Sequence, residues 1–165
     1  MENMKVQFDE RGYLMPYDKV EMSLENFENN FVRDFANSST RKEILQAYRE
    51  YLIDFQRLIT PNFTQWIDGS FVSTKLNPND IDFVTFIDAA VFEEKESLIS
   101  NQFIFPNARN VYGVDAYGVR IYPINHPFHN IGISDTLYWR EWFGQARPNR
   151  VNKKFQKGFV QIKFN

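Results

Sequence analysis

Cysteine is absent from the 165 residues, and histidine occurs only twice. The first absence excludes a disulfide framework, a thiol nucleophile and a Cys-ligated zinc site. The second leaves little for imidazole chemistry: His126-Pro127-Phe128-His129 lies off any expected helix and has no evident third zinc ligand. No apolar run approaches the roughly 18–20 residues needed to cross a bilayer. Met1-Glu2-Asn3-Met4-Lys5 carries no apolar stretch of the signal-peptide type, so a cytoplasmic protein with no membrane contact is expected. Glycine and proline number only seven each, which excludes collagen-like repeats and Pro/Gly-rich disorder. Gly-x-Gly-x-x-Gly and Walker-type phosphate loops are missing, and Ser70 lacks the Gly-x-Ser-x-Gly setting of a hydrolase nucleophile.

Aromatics are plentiful: 17 Phe, 8 Tyr and 3 Trp, enough for a sizeable core in one domain spanning residues 1–165. A short strand from Lys5 to Phe8, a turn at residues 9–12 and an extended stretch broken by Pro16 come first. Two N-terminal helices are expected over about 23–59. Ser23 caps the first, with Leu24, Phe27, Phe31 and Phe35 on one face. Thr40 and Glu43 have capping-box spacing before the second, which carries Ile44, Leu45, Tyr48, Leu52, Phe55 and Ile59 inward and ends before Pro61. A core over about 64–122 follows. It comprises a strand through Ile67, one helical turn at 71–75, a buried strand over 81–87, a helix over 89–101 and a strand over 111–122. Ser134 or Asp135 caps a last helix to about Gln145, where Trp139 and Trp142 are expected to pack, and Gly158 to Phe164 alternates as the final strand. Helices and strands in this order predict an α+β (α/β-type) domain, a mixed sheet with helices packed on it.

The chemistry concentrates in Trp66-Ile67-Asp68-Gly69-Ser70 and, nine residues later, Asp80-Ile81-Asp82. Side chains two apart in a strand share a face, about 6.5–7 Å apart. Asp80 and Asp82 thus project together, and two neighbouring carboxylates repel. A divalent cation resolves that conflict, and Mg²⁺ takes carboxylate oxygens together with substrate phosphates. Gly69 permits close backbone approach, and Ser70 offers a hydroxyl and an amide to a phosphate. Lys75, in the intervening loop, is a further phosphate candidate. The competing reading is a surface strand end with two solvated Asp residues. Asp88 is set aside, since six residues along a strand it lies about 20 Å from Asp82. Charge is also segregated. Residues 140–165 hold seven bases, among them Arg147, Arg150, Lys153 and Lys154, against Glu141 alone, a net +6 that leaves −8 on the rest. Such a basic end suits contact with an anion, an internal match of charges, or plain solvation.

A hydrophobic strand, Gly69-Ser70, nine residues and Asp80-Ile81-Asp82-Phe83 resemble the signature of the polymerase β-type nucleotidyltransferase superfamily. The longer strings 66–71 and 78–82, with residues 7–20 and Lys157-Gly158-Phe159-Val160, are similar to a bacterial family of small nucleotidyltransferase-like proteins. Asp68 departs from the pattern, which usually has a hydrophobic residue before the glycine. The resemblance implies a third carboxylate from a later strand, best matched by Asp115, and two Mg²⁺ (or Mn²⁺) ions held by Asp80, Asp82 and Asp115. Pairing of Asp115 with Arg120 is the competing reading. The implied activity is transfer of NMP from an NTP, ATP among them, to a hydroxyl of a protein or RNA acceptor. The alternative is a catalytically silent binding module such as an antitoxin or regulator in a toxin–antitoxin pair. The short chain leaves little for acceptor recognition, so a protein partner or a homo-oligomer is expected to help.

Overall fold

The computed structural model describes residues 4–165. Three short strands open it, β1 (Gln7–Phe8), β2 (Leu14–Met15) and β3 (Lys19–Glu21), where one strand and an extended stretch were expected ahead of the two helices. α1 (Leu24–Phe31) begins where Ser23 Oγ accepts from the Asn26 amide, the cap its position predicted. It breaks early into a 3-10 turn at Arg33–Phe35. α2 (Arg41–Leu58) buries Leu45, Tyr48, Leu52 and Phe55 at helical spacing. The Thr40–Glu43 capping box does not form, because Thr40 Oγ1 donates to the Pro78 carbonyl and Ser38 Oγ accepts from the Thr40 and Arg41 amides instead.

β4 (Phe63–Asp68) runs into a 3-10 turn at Ser70–Val72, and β5 (Asp82–Asp88) returns beside it. Asp88 caps α3 (Ala89–Glu94) by accepting from the Ala90 and Val91 amides, which accounts for its carboxylate. α4 (Glu96–Leu98) and a π turn over Ile99–Phe103 complete the helix expected there. The strand expected from Val111 starts later. Residues Asn107–Tyr112 form α5, whose exit is turned by Gly113 at φ 78°, and β6 covers Asp115–Ile121. The β-favouring Val111 and Tyr112 are overridden by tertiary packing, with Tyr112 against Tyr51 and Phe103. α6 (His129–Phe143) also begins earlier than expected, leaving Ser134 and Asp135 exposed within it rather than at its cap. β7 (Phe159–Phe164) closes the chain.

The sheet order is β3-β7-β4-β5-β6, with β3–β7 and β5–β6 parallel and the two pairs between antiparallel. One core spans the chain, since residue 20 pairs with residue 160. One sheet face packs Ile67, Phe83, Ala116 and Val160 against α1 and α2. The other packs Trp66, Val84, Val119 and Phe159 against Phe143 and Trp139 of α6. Both faces of β4 and β5 are therefore covered, which is why β5 is apolar over most of Phe83 to Ile87 and why Gln65 of β4 and Thr85 of β5 are buried as well. Polar side chains between the sheet and α2 are paired: Tyr48 donates to Gln65 Oε1 at 2.6 Å, and Gln65 Nε2 to Thr85 Oγ1 at 2.9 Å. No helix is long and apolar enough to cross a membrane among the described residues.

Candidate functional site

Strand register brings the acidic residues together. Asp68 faces Asp82 across the antiparallel β4–β5 pair, and Asp82 faces Asp115 across the parallel β5–β6 pair. Directly paired residues share a sheet face, so the three form a row. Asp80 precedes Asp82 by two residues and joins them: one carboxylate oxygen from each of Asp80, Asp82 and Asp115 lies within 4.8 Å of the others. The expected trio therefore converges.

Gly69 bends the chain out of β4 at φ 78°, a region costly for residues with a Cβ. A Cβ there would sit 2.2 Å from Asp82 Oδ2, so glycine is what lets the backbone lie against this carboxylate. Gly69→Ala is accordingly expected to cost about 1–3 kcal/mol by strain and to push the Asp82 carboxylate out of the trio. Thermal unfolding and Mn²⁺ affinity measured together check this; unchanged values in both would contradict it. Ser70 follows at the start of a single 3-10 turn, its carbonyl accepting from Ser73 Oγ. Lys75 lies elsewhere. It is exposed, outside the cavity lining, and its carbonyl accepts from Arg41 Nη2.

Two cations stand among the carboxylates. Arg109 of α5 reaches Asp80 Oδ2 and Asp115 Oδ1, each at 3.4 Å, whereas Arg120, the partner considered for Asp115, pairs with Glu96. Lys157 Nζ donates to both oxygens of Asp68 at 2.7 Å in a nearly enclosed ion pair. Asp68 thus anchors the basic C-terminal segment, an internal match of opposite charges. Counted as fully ionised, four carboxylates and two cations leave two negative charges, an excess that a divalent cation would offset. The electrostatics agree. Burial, then the neighbouring Asp80, Asp115 and Asp68 charges, push Asp82 up to about 7. Burial raises Asp115 against the pull of Arg109. Asp115 Oδ1 is buried with no hydrogen-bond partner among the described residues. A clustered set of hard oxygen donors, one of them held by an ion pair but by no hydrogen bond, fits Mg²⁺ or Mn²⁺.

The row of acids floors a cavity of about 600 Å³. Arg147, Lys154 and Lys157 line its wall, so the basic end does fold toward the carboxylates. Tyr117, Phe105 and the α6 residues Tyr138 and Trp142 complete it. The tryptophan pair divides: Trp139 packs on Tyr117 at 4.8 Å, while Trp142 remains 61% exposed at the rim. Sequence reasoning missed Arg109, which sits in the unforeseen α5, and the Asp68–Lys157 pair, for which the only signal was Asp68 standing where an apolar residue was expected. No curated protein and no solved structure matches the chain. One family does match, over residues 6–163, and the chain belongs to it: DUF6932, a family of unknown function.

Proposed function

We propose that this chain is a Mg²⁺- or Mn²⁺-dependent nucleotidyltransferase that moves a nucleoside monophosphate from an NTP to a hydroxyl acceptor. The observation that supports it is the convergence of Asp80, Asp82 and Asp115 beside the bend at Gly69, with a basic wall opposite. These three carboxylates would hold the metal, which when bound neutralises phosphate charge and sharpens the attacking hydroxyl. The remaining work falls to the chain. Arg147 and Lys154, which line the same cavity, contact the triphosphate, while Lys157 holds Asp68 in place and Gly69 lets the triphosphate approach the backbone. The acceptor oxygen bonds to the α-phosphorus, the bond from that phosphorus to the β-bridging oxygen breaks, and pyrophosphate leaves with the electron pair. Asp115 takes the hydroxyl proton. Positioning and preorganised charge supply most of the rate.

A second reading keeps the fold as a silent binding module, an antitoxin or regulator. It is favoured by Arg109, which already ion-pairs with Asp80 and Asp115. One assay separates the two. The protein is incubated with α-³²P-labelled ATP, CTP, GTP or UTP and Mg²⁺ or Mn²⁺ in the presence of cellular protein and RNA. Label transferred by the wild type and reduced at least about 100-fold in Asp82→Asn supports transfer. Equal behaviour of the wild type and the Asp80→Asn/Asp82→Asn double variant with every acceptor favours the binding module.

A further inference from the structure

The segment between α6 and β7 is built as a finger. Gln145 and Gln156 bridge in antiparallel fashion, the Ala146 amide donates to the Phe155 carbonyl, and the Asn149 amide to the Lys153 carbonyl. Asn149 Oδ1 accepts from the Val151 and Lys153 amides and closes the tip, where Asn152 takes φ 59°. Residues 145–158, fourteen in all, carry Arg147, Arg150, Lys153, Lys154 and Lys157 and no acidic residue. Lys157 is committed to Asp68. Among the described residues the other four meet no carboxylate within ion-pair distance, and all four are exposed. A chain with net charge −2 thus concentrates unneutralised positive charge on one projection.

That projection is continuous with two flat rings. Tyr138 and Trp142, one turn apart on α6, are 59% and 61% exposed, near-parallel at 10°, and line the same cavity as Arg147 and Lys154. Solvent-facing aromatics beside a row of unpaired cations match the needs of one ligand class. A single-stranded polynucleotide offers one phosphate per residue to the cations and unpaired bases to stack on the rings. A duplex keeps its bases stacked and cannot use the rings, and the Asp and Glu side chains of an acidic peptide carry no aromatic face to stack on them.

We infer that the finger and the Tyr138–Trp142 rings form a tract for single-stranded RNA, delivering its terminal hydroxyl to Asp80, Asp82 and Asp115. The inference rests on the transferase reading, whose acceptor it names. The acceptor's terminal hydroxyl oxygen gains the NMP through a new O–P bond, pyrophosphate departs, the hydroxyl proton passes to Asp115, and the RNA grows by one nucleotide.

The test is fluorescence anisotropy with a 5′-fluorescein oligoribonucleotide of mixed sequence, about 12 nucleotides long, in EDTA and without NTP, so that binding is read apart from transfer. Wild-type protein is expected to bind the single strand more tightly than the matching duplex, with affinity falling steeply between about 50 and 200 mM salt. Arg150→Glu/Lys153→Glu, at the tip and off the cavity, is expected to weaken binding at least about tenfold and to flatten the salt dependence. Trp142→Ala is expected to weaken it about tenfold with the salt slope retained. Circular dichroism confirms that each variant is folded. No binding at low salt, equal binding of duplex, or a tip variant that binds like the wild type overturns the inference. Adding NTP and Mn²⁺ then separates the two levels. Extension of the oligonucleotide by wild type supports both. Label on protein with the oligonucleotide unchanged overturns the RNA acceptor and leaves the transferase standing. Tight binding with no transfer of any NTP to any acceptor overturns the transferase and the acceptor role together.

Discussion

Arg41→Met is expected to destabilise the protein by roughly 3–5 kcal/mol, the cost of dismantling a buried charged network, or to prevent folding. The guanidinium is fully buried and, among the described residues, has no carboxylate partner. Its donors go to backbone carbonyls: Phe31 at 2.8 Å, Phe71 at 2.6 Å, Ser73 at 2.9 Å, and those of Lys75 and Leu76. It also lies 3.9 Å over the Phe35 ring. Burial pulls its pKa down to about 10, still well above neutrality, so the cation persists. Methionine fills much of the volume and satisfies none of the five oxygens. Hydrogen bonds to a charged group are worth about 1.5–3 kcal/mol each, and water reaches only the outer carbonyls of the exposed 74–77 loop. Arg41→Lys should fall between, because an ammonium has three donors rather than a planar fork. Urea unfolding gives the values. A loss below about 1 kcal/mol, an ordinary surface effect, would show that the carbonyls need no cation. The site depends on this strut, since it ties down the segment between Gly69 and Asp80.

Lys157→Met is expected to cost a similar amount at pH 8, about 3–5 kcal/mol, because it leaves one member of a buried ion pair alone. Burial already pushes Asp68 up to about 6 with Lys157 on both its oxygens. Without the ammonium the carboxyl moves higher still. A carboxyl whose folded pKa exceeds its unfolded value near 4 binds a proton in the folded chain that the unfolded chain has lost. Stability therefore falls as pH rises from about 4 through the folded pKa, and then levels off. The wild type follows this course to about pH 6 for Asp68; the variant continues downward beyond it. Lys157→Met should thus be nearest to wild type in acid and weakest in alkali, and Asp68→Asn added to it should recover much of the loss. Thermal unfolding scanned from pH 5 to pH 9 decides the matter: a deficit that does not change with pH would mean that packing, not the stranded carboxylate, accounts for the cost.

Legibility in the sequence followed range. Asp80 and Asp82 were readable because a strand has period two, and Gly69 because a bend needs it. α2 was readable because Leu45, Tyr48, Leu52 and Phe55 repeat on one face. Asp115 was placed only by its rank in the order of elements; its approach to Asp82 depends on the β5–β6 register, which local pattern does not encode. The Asp68–Lys157 pair joins residues 89 apart, and nothing local in either hints at the other. Arg41 looks like an ordinary first-turn residue of an amphipathic helix, yet it is wholly enclosed because a loop closes over it. α5 and the true start of α6 were hidden for the opposite reason. Val111 and Tyr112 favour strands, and Ser134 and Asp135 imitate a cap, but packing overrules both.

β7 is synthesised well after β3 and β4, yet it lies between them in the sheet. Until it emerges from the ribosome, both neighbours expose an unpaired edge, and Asp68 has no ammonium beside it. The parallel β3–β7 pairing further joins residues 140 positions apart, as in Glu21 with Gln161. Closure over such separations is slow, and the intermediates that wait for it are prone to sticking together. The order of synthesis therefore separates the acidic floor, set by β4, β5 and β6, from the seam through β7 and the Lys157 pairing, which come later. A nascent chain stopped short of Phe159 carries all four site carboxylates and the strands β4, β5 and β6 that align them, but leaves β3 and β4 with open edges that invite pairing with other chains.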